Sequence, residues 1–227
     1  MLMKRLIQML DLGQNKLTEL SNIPQPRVSR INLAENEIAS CASFKGHPII
    51  SSLILSQNKL TSCAGLGNME RLTELTLRSN ELTSLKELVN LPSLKKLDVN
   101  TNKLENLNDL PDLPSLEKFD CGANEITTIA ELPKLAVFRR LKELLMQGTP
   151  LAEEKGDDMK LEVLIALDEL SIKMVNEEEI AAEDRQAAAE TKKERKEKEE
   201  EERAEAERAR LEAEANKGEG EGEEAAE

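Results

Sequence analysis

Tryptophan and tyrosine are absent from the chain, and phenylalanine occurs only three times. The core must therefore be aliphatic, and the aromatic platforms on which proteins stack single strands or sugars are missing. Histidine is nearly absent too. His47, the only one, has no Cys, Asp or Glu at ligand spacing and stands just before Pro48 in a leucine position of the pattern described below. A nucleophilic triad has no base without a histidine beside a motif serine or cysteine. No glycine-rich phosphate loop occurs, and the carboxylates fall on solvent frames rather than in converging pairs. The expectations are no enzyme activity, no cofactor, no metal and no small-molecule substrate.

The three cysteines form neither a disulfide framework nor a spaced zinc site. Cys41 and Cys63 replace leucine in a column running Leu20, Cys41, Cys63, Leu85, Leu107 and Ile129, and Cys121 occupies a strand core position near Phe119. Buried small hydrophobes are expected at all three. No apolar run approaches the roughly 18 residues of a membrane span. Met1 to Leu10 is apolar but interrupted by Lys4 and Arg5, without a cleavage-like site, so no signal peptide is expected. An intracellular, reducing compartment follows.

The net charge is −14, from 45 acidic and 31 basic residues. Residues 177–227 hold 21 acidic and 10 basic residues, a balance of −11, which leaves −3 for the rest. A basic stripe for duplex nucleic acid is not visible, so no nucleic-acid partner is expected.

What the chain does have is a ladder: Asn15, Asn36, Asn58, Asn80, Asn102 and Asn124, with Thr149 where a seventh rung would stand. The intervals are 21, 22, 22, 22, 22 and 25 residues. Each rung sits in one frame, shown by Leu72, Leu75, Leu77, Asn80, Leu82 and Leu85. A repeat in the twenties with this frame predicts a leucine-rich repeat solenoid. The Leu-x-Leu core alternates with period two, so successive strands stack into a curved parallel sheet with one face buried and a concave face free. An asparagine offers two donors and an acceptor, enough to satisfy the backbone where the chain turns out of each strand. The fold class is α/β in this sense, a repeat solenoid of about seven turns over residues 1–151.

The first repeat starts almost at Met1, with Ile7, Leu10, Leu12, Asn15 and Leu17 in frame. Its open edge is covered either by a partner or by the few residues before Ile7. On the convex side Leu88, Leu91, Pro92 and Leu94 recur as Leu110, Leu113, Pro114 and Leu116. Three-residue spacing predicts short 3₁₀ or helical segments, each ended by the proline. Phe138-Arg139-Arg140 supplies a three-residue insertion before the frame returns at Leu141, Leu144 and Met146. From Asp158 to Asn176 a helical period appears in Leu161, Leu164, Ile165, Leu167, Leu170 and Ile172. Residues 152–176 are therefore expected to cap the last strand.

Residues 177–216 contain almost only Glu, Ala, Lys and Arg, good helix formers. Opposite charges recur four apart, as in Lys196 and Glu200, and each such pair adds about 0.2–0.5 kcal/mol. No apolar residue occurs between Thr191 and Arg203, so a heptad seam is missing. A single charged helix is expected, either a solvated run or a docking arm. Residues 217–227 are too polar to bury a core and are expected to be disordered.

Three columns define the concave face: Met9, Arg30, Ser52, Glu74, Lys96, Lys118, Glu143; then Asp11, Asn32, Ile54, Thr76, Asp98, Asp120, Leu145; then Gly13, Ala34, Ser56, Arg78, Asn100, Gly122, Gln147. Within them Glu74, Arg78, Lys96, Asp98, Lys118 and Asp120 are the candidate partner-binding residues. The checkerboard of Lys96, Asp98, Lys118 and Asp120 serves a charged partner, or else is neutral cross-strand pairing on a solvated sheet.

The 22-residue length, the convex spacing and the Leu-Pro-x-Leu step resemble the short, phosphatase-regulator-type class of intracellular leucine-rich repeats. The stretch LEVLIALDELSIKMVNEEE resembles the helical C-terminal cap of that class, with Asp168 for the usual proline and Ile172-Lys173 for the usual Leu-Asp. Beyond it, Glu177, Glu178, Glu179, Ala181, Glu183, Arg185 and Gln186 match the run that follows the cap in ciliary leucine-rich-repeat proteins of the radial spoke. That resemblance implies a non-enzymatic scaffold subunit in the axoneme of a cilium or flagellum, with other spoke proteins as partners. Two alternatives stand beside it: a regulatory subunit that holds a protein phosphatase catalytic subunit in the concave face, and the acidic nuclear repeat proteins, whose tails are nearly pure Asp/Glu.

Overall fold

A computed structural model describes residues 7–24 and 26–220, with side chains through residue 210. The expectations for Met1 to Leu6 and for residues 221–227 lie outside the described residues. Two compact units divide the chain, Met1–Ala181 and Ala182–Glu227.

The first unit is a parallel-sheet solenoid. Its strands are β1 (Met9–Asp11), β2 (Arg30–Asn32), β3 (Ser52–Ile54), β4 (Glu74–Thr76), β5 (Lys96–Asp98), β6 (Lys118–Asp120) and β7 (Glu143–Leu145). Each pairs in parallel with the next, so the columns read from the sequence are registered neighbours. The middle residue of β2 to β7 is buried while its flanking residues face out. The core behind the sheet is continuous from Leu20 to Val175, and burying each leucine contributes about 1.5–3 kcal/mol.

The asparagine ladder closes the turns. Asn80 donates from Nδ2 to the carbonyl of Leu77 at 2.9 Å and to that of Leu55, one repeat earlier, at 3.0 Å. Its Oδ1 accepts from the N–H of Leu60 at 3.0 Å. Asn36, Asn58, Asn102 and Asn124 repeat the arrangement. The residue before every rung is left-handed: Gln14, Glu35, Gln57, Ser79, Thr101 and Ala123 have φ between 46 and 56°. That conformation costs about 1–2 kcal/mol per non-glycine residue, and the rung's hydrogen bonds offset it.

Thr149 is the rung where the solenoid turns into helix. Its Oγ1 donates to the carbonyl of Met146 at 2.8 Å, as an asparagine would, and accepts from the N–H of Ala152 at 3.2 Å. It thereby caps α1 (Pro150–Lys155), whose proline stands at the first helical position.

The convex side uses i→i+3 bonds, mostly as isolated turns. The N–H of Leu88 donates to Leu85 and that of Leu94 to Leu91. Ile129–Val137 continues into a 3₁₀ helix of nine residues. At three residues per turn, one extra turn absorbs the three-residue insertion and returns β7 in register with β6. Phe138 follows that helix and packs edge-on against Phe119, with ring centroids 5.5 Å apart. Ile129, expected in the buried column, is instead 42 % exposed. It is the last member of its column: after Thr149 the chain enters α1 rather than another repeat.

The cap also departs from expectation. Its helical period ends at α2 (Met159–Ala166), and Met174–Val175 forms β8, parallel to β7. β9 (Glu178–Glu179) pairs back antiparallel. Asn176 and Glu177 link them with φ of 48° and 69°, the two positive values of a type I′ hairpin. Ile172 and Val175 stay buried, but as strand-side residues. Consequently the charged helix, α3 (Ala182–Gly220), starts five residues later than Glu177 and takes in residues 217–220, which were expected to be disordered. Its side-chain ion pairs include those from lysine to glutamate four residues on, Lys193–Glu197 at 3.5 Å and Lys196–Glu200 at 3.8 Å.

Candidate functional site

Strand alternation puts Lys96 and Asp98 on the open face of β5 and Leu97 behind it. Register then sets Glu74, Lys96, Lys118 and Glu143 in one row, and Thr76, Asp98, Asp120 and Leu145 in the next. Lys96 and Lys118 are neighbours of like sign, and each is drawn outward. Lys96 Nζ lies 2.8 Å from Glu74 Oε1, and Lys118 Nζ lies 2.9 Å from Glu143 Oε2. The hydrogen bond to Glu74 raises the pKa of Lys96.

With both lysines so engaged, Asp98 and Asp120 have no ion-pair partner among the described residues. Asp98 Oδ1 accepts the N–H of Asn100 at 3.0 Å. Asp120 Oδ1 accepts from the N–H of Gly122 and from Nδ2 of Asn100, both at 3.0 Å. These aspartate-to-i+2 bonds fix both carboxylates at the strand ends. Burial pushes the pKa of Asp98 up, the neighbouring charge of Asp120 adds to this, and the Asn100 N–H opposes it. Arg78 is exposed in the third column and favours the ionised form of Asp98 without lining the hollow.

The structure thus gathers five of the six candidates, Glu74, Lys96, Asp98, Lys118 and Asp120, around one hollow of about 250 Å³ floored by Leu75 and Leu97. Such a surface can take charged and hydrogen-bonding groups of a partner. Near the other end of the sheet Asp11 repeats the Asp120 arrangement, accepting from Asn32 Nδ2 and from the Gly13 N–H at 3.0 Å.

The three thiols and His47 lie in the interior. Cys41, Cys63 and Cys121 are buried free thiols, and burial pushes the first two up to about 12 and raises the third. His47 is buried, and its Nδ1 faces the N–H of Ile49 at 3.5 Å. Among the described residues no group of three or more His, Cys, Asp or Glu could hold a metal ion, and no helix is long and apolar enough to cross a membrane.

Three features escaped the sequence reading. Glu131 is buried on the 3₁₀ helix; its Oε2 accepts the N–H of Leu107 at 2.6 Å, and Lys134 binds both of its oxygens. Burial alone would raise its pKa, but that N–H and Lys134 outweigh it and hold the carboxyl below its usual range. Glu87 makes the same capping bond to Cys63, so the signal was a glutamate two residues past the column position in both repeats. Asn176 ties the β8–β9 turn to the end of β7: its Oδ1 accepts the N–H of Met146 at 2.8 Å. Lys16, Glu37, Lys59, Glu81, Lys103 and Glu125 alternate in the column after the rungs, with Lys59–Glu37 and Lys103–Glu81 at 2.8 Å. That pattern was legible at one-repeat spacing.

The profile of the family described as leucine rich repeats (2 copies) matches residues 70–112. No curated protein matches the sequence. Among solved structures, the Drosophila melanogaster SNF/U2A′ complex aligns at 17 % identity over 83 % of this chain and 86 % of that chain, with a TM-score of 0.46. An internalin C2 from Listeria monocytogenes aligns at 22 % identity over 74 % and 80 % of the two chains, also with a TM-score of 0.46. The internalin inlF of the same organism aligns at 18 % identity over 74 % and 60 %, with a TM-score of 0.45.

Proposed function

We propose that this leucine-rich repeat protein is a non-catalytic adaptor that holds another protein against its concave face. Leucine-rich repeat proteins in general mediate protein–protein contacts. The observation that carries the reading is the hollow around Asp98 and Asp120, where two fixed carboxylates have no ion pair among the described residues while the adjacent lysines are already engaged. A partner side chain bearing positive charge would relieve both carboxylates at once.

The finer reading is a subunit of the radial spoke in a ciliary or flagellar axoneme. Its support is the run from Glu177 to Gln186, with its resemblance to ciliary repeat proteins. In this reading α3 is a docking arm and the repeats are a rigid platform.

The test is recovery of partners from the native cell, with detergent-soluble and detergent-insoluble material separated. The expected result is co-purification with spoke subunits from the insoluble fraction. Recovery from the soluble fraction with a phosphatase catalytic subunit would replace the axonemal reading, and recovery alone would sink the adaptor itself. A truncation should follow Ala181 rather than Asn176, since β9 pairs with β8 and belongs to the repeat unit. The truncated chain should keep its thermal unfolding and lose incorporation into the assembly.

A further inference from the structure

The convex side carries a second surface. Three consecutive repeats align there so that Gly67, Val89 and Pro111 form one column, Asn68, Asn90 and Asp112 the next, and Glu70, Pro92 and Pro114 a third. Between these columns lies a groove of about 560 Å³.

Its shape has a local cause. Gly67 allows a close backbone approach, since a Cβ there would stand 2.7 Å from the carbonyl oxygen of Val89. Val89 itself is 49 % exposed in the middle of the array, while its leucine neighbours Leu88 and Leu91 are buried. Asn68 and Asn90 are left-handed, with φ of 58° and 55°, whereas in the following repeat the positive φ moves to Asp109. The backbone changes course where Pro111, which has no N–H, replaces Val89 in the column.

Two observations specify what fits. The charged residues lining the groove are Glu70 and Asp112, both acidic, and neither has an ion pair among the described residues. Two repeats separate them, about 10 Å at the usual strand spacing. Asn90 Nδ2 donates to Asn68 Oδ1 at 2.7 Å, leaving Asn68 Nδ2 and Asn90 Oδ1 without a partner among the described residues. One amide donor group and one amide acceptor side by side match the acceptor and donor of a peptide bond.

We propose that this convex groove binds an extended peptide segment of a partner protein. The segment places an apolar side chain on Val89 and Pro92, and lysine or arginine against Glu70 and Asp112. An extended chain covers 10 Å in about three residues, so two basic residues three apart with an apolar residue between them meet both carboxylates. This surface is separate from the concave hollow and does not depend on it. A protein with both surfaces bridges two partners.

The experiment uses the full chain and fluorescein-labelled nine-residue peptides with a central leucine or valine, flanked by arginine, serine or glutamate. Anisotropy should show at least a tenfold preference for the arginine-flanked peptides, falling with added salt. Val89→Glu should weaken their binding at least tenfold, and Glu70→Lys with Asp112→Lys should transfer the preference to the glutamate-flanked set. Backbone NMR shifts on titration should cluster at Val89 and Asn90. Shifts confined to Lys96 and Asp98 would place the peptide in the concave hollow and overturn the proposal, as would equal affinity for all three flanks or no binding at millimolar concentration. Circular dichroism checks that each variant is folded. Loss of this binding leaves the partner recovery described above untouched, so either reading can fail alone.

Discussion

Replacing Asn80 by alanine isolates what a rung contributes. The side chain is 7 % exposed. Removing it strips the Leu60 N–H of its acceptor and the Leu55 carbonyl of a donor from the following repeat, both in buried surroundings. The Leu55 carbonyl still accepts from Asn58 Nδ2 at 3.0 Å, so one buried group, the Leu60 N–H, is left unsatisfied, and the predicted loss is about 1–3 kcal/mol. The bond to Leu77 is also lost, and the left-handed turn at Ser79 is then no longer held from the next residue. Asn15→Ala is the internal comparison. Asn15 is exposed, and it donates only within its own turn, to Leu12 and Gly13. Solvent can replace those bonds, so the predicted loss is under about 1 kcal/mol. Urea unfolding followed by circular dichroism reads both variants against the parent chain. Equal midpoints for the two would refute the argument, because the repeats would then be held by leucine packing alone and the ladder would be incidental.

Three further outcomes follow from the same reasoning. Asp98→Asn retains an acceptor for the Asn100 N–H and removes a charge whose pKa is raised by burial. Since the folded state binds this proton more tightly than the unfolded chain, the penalty is present above the folded pKa and absent below the unfolded value near 4; the melting temperature should rise at pH 7 and not at pH 3. Glu131→Gln should destabilise by about 1–3 kcal/mol at pH 7. The depressed folded pKa means that this contribution is present above the ordinary carboxylate range and lost as pH falls through the folded value, so parent and variant should converge in acid unfolding. Asn176→Ala should leave the Met146 N–H without its acceptor and speed hydrogen exchange in β7 and β8, with β3 to β5 unchanged.

The interior of the array was legible because its periodicity is dictated by stacking. Once Leu75, Leu97 and Phe119 are registered, strand alternation places every outward residue, and the repeat spacing alone groups Lys96, Asp98, Lys118 and Asp120. Where stacking stops, the same logic misleads. Ile129 keeps its column position but is exposed, and Ile172 to Val175 keeps an apolar pattern that suits a helix or a strand equally well. Tertiary pairing with β7 decides for the strand. The pairing of Lys96 with Glu74 and of Lys118 with Glu143 was not legible either, since each lysine also had an aspartate within two residues along its strand. The convex groove rests on a close backbone approach at Gly67 and a displaced positive φ, neither of which shows in a pattern of apolar residues.

The central claim is that the concave hollow touches a protein partner. A photo-crosslinking residue introduced at Thr76, which lines that hollow, tests it in the native cell. The account predicts one discrete protein adduct from this position, identical to a component that co-purifies with the unmodified chain, and its loss when Asp98 and Asp120 are both changed to lysine. Irradiation that yields no protein adduct at Thr76, from a chain that still co-purifies with its partners, would contradict it.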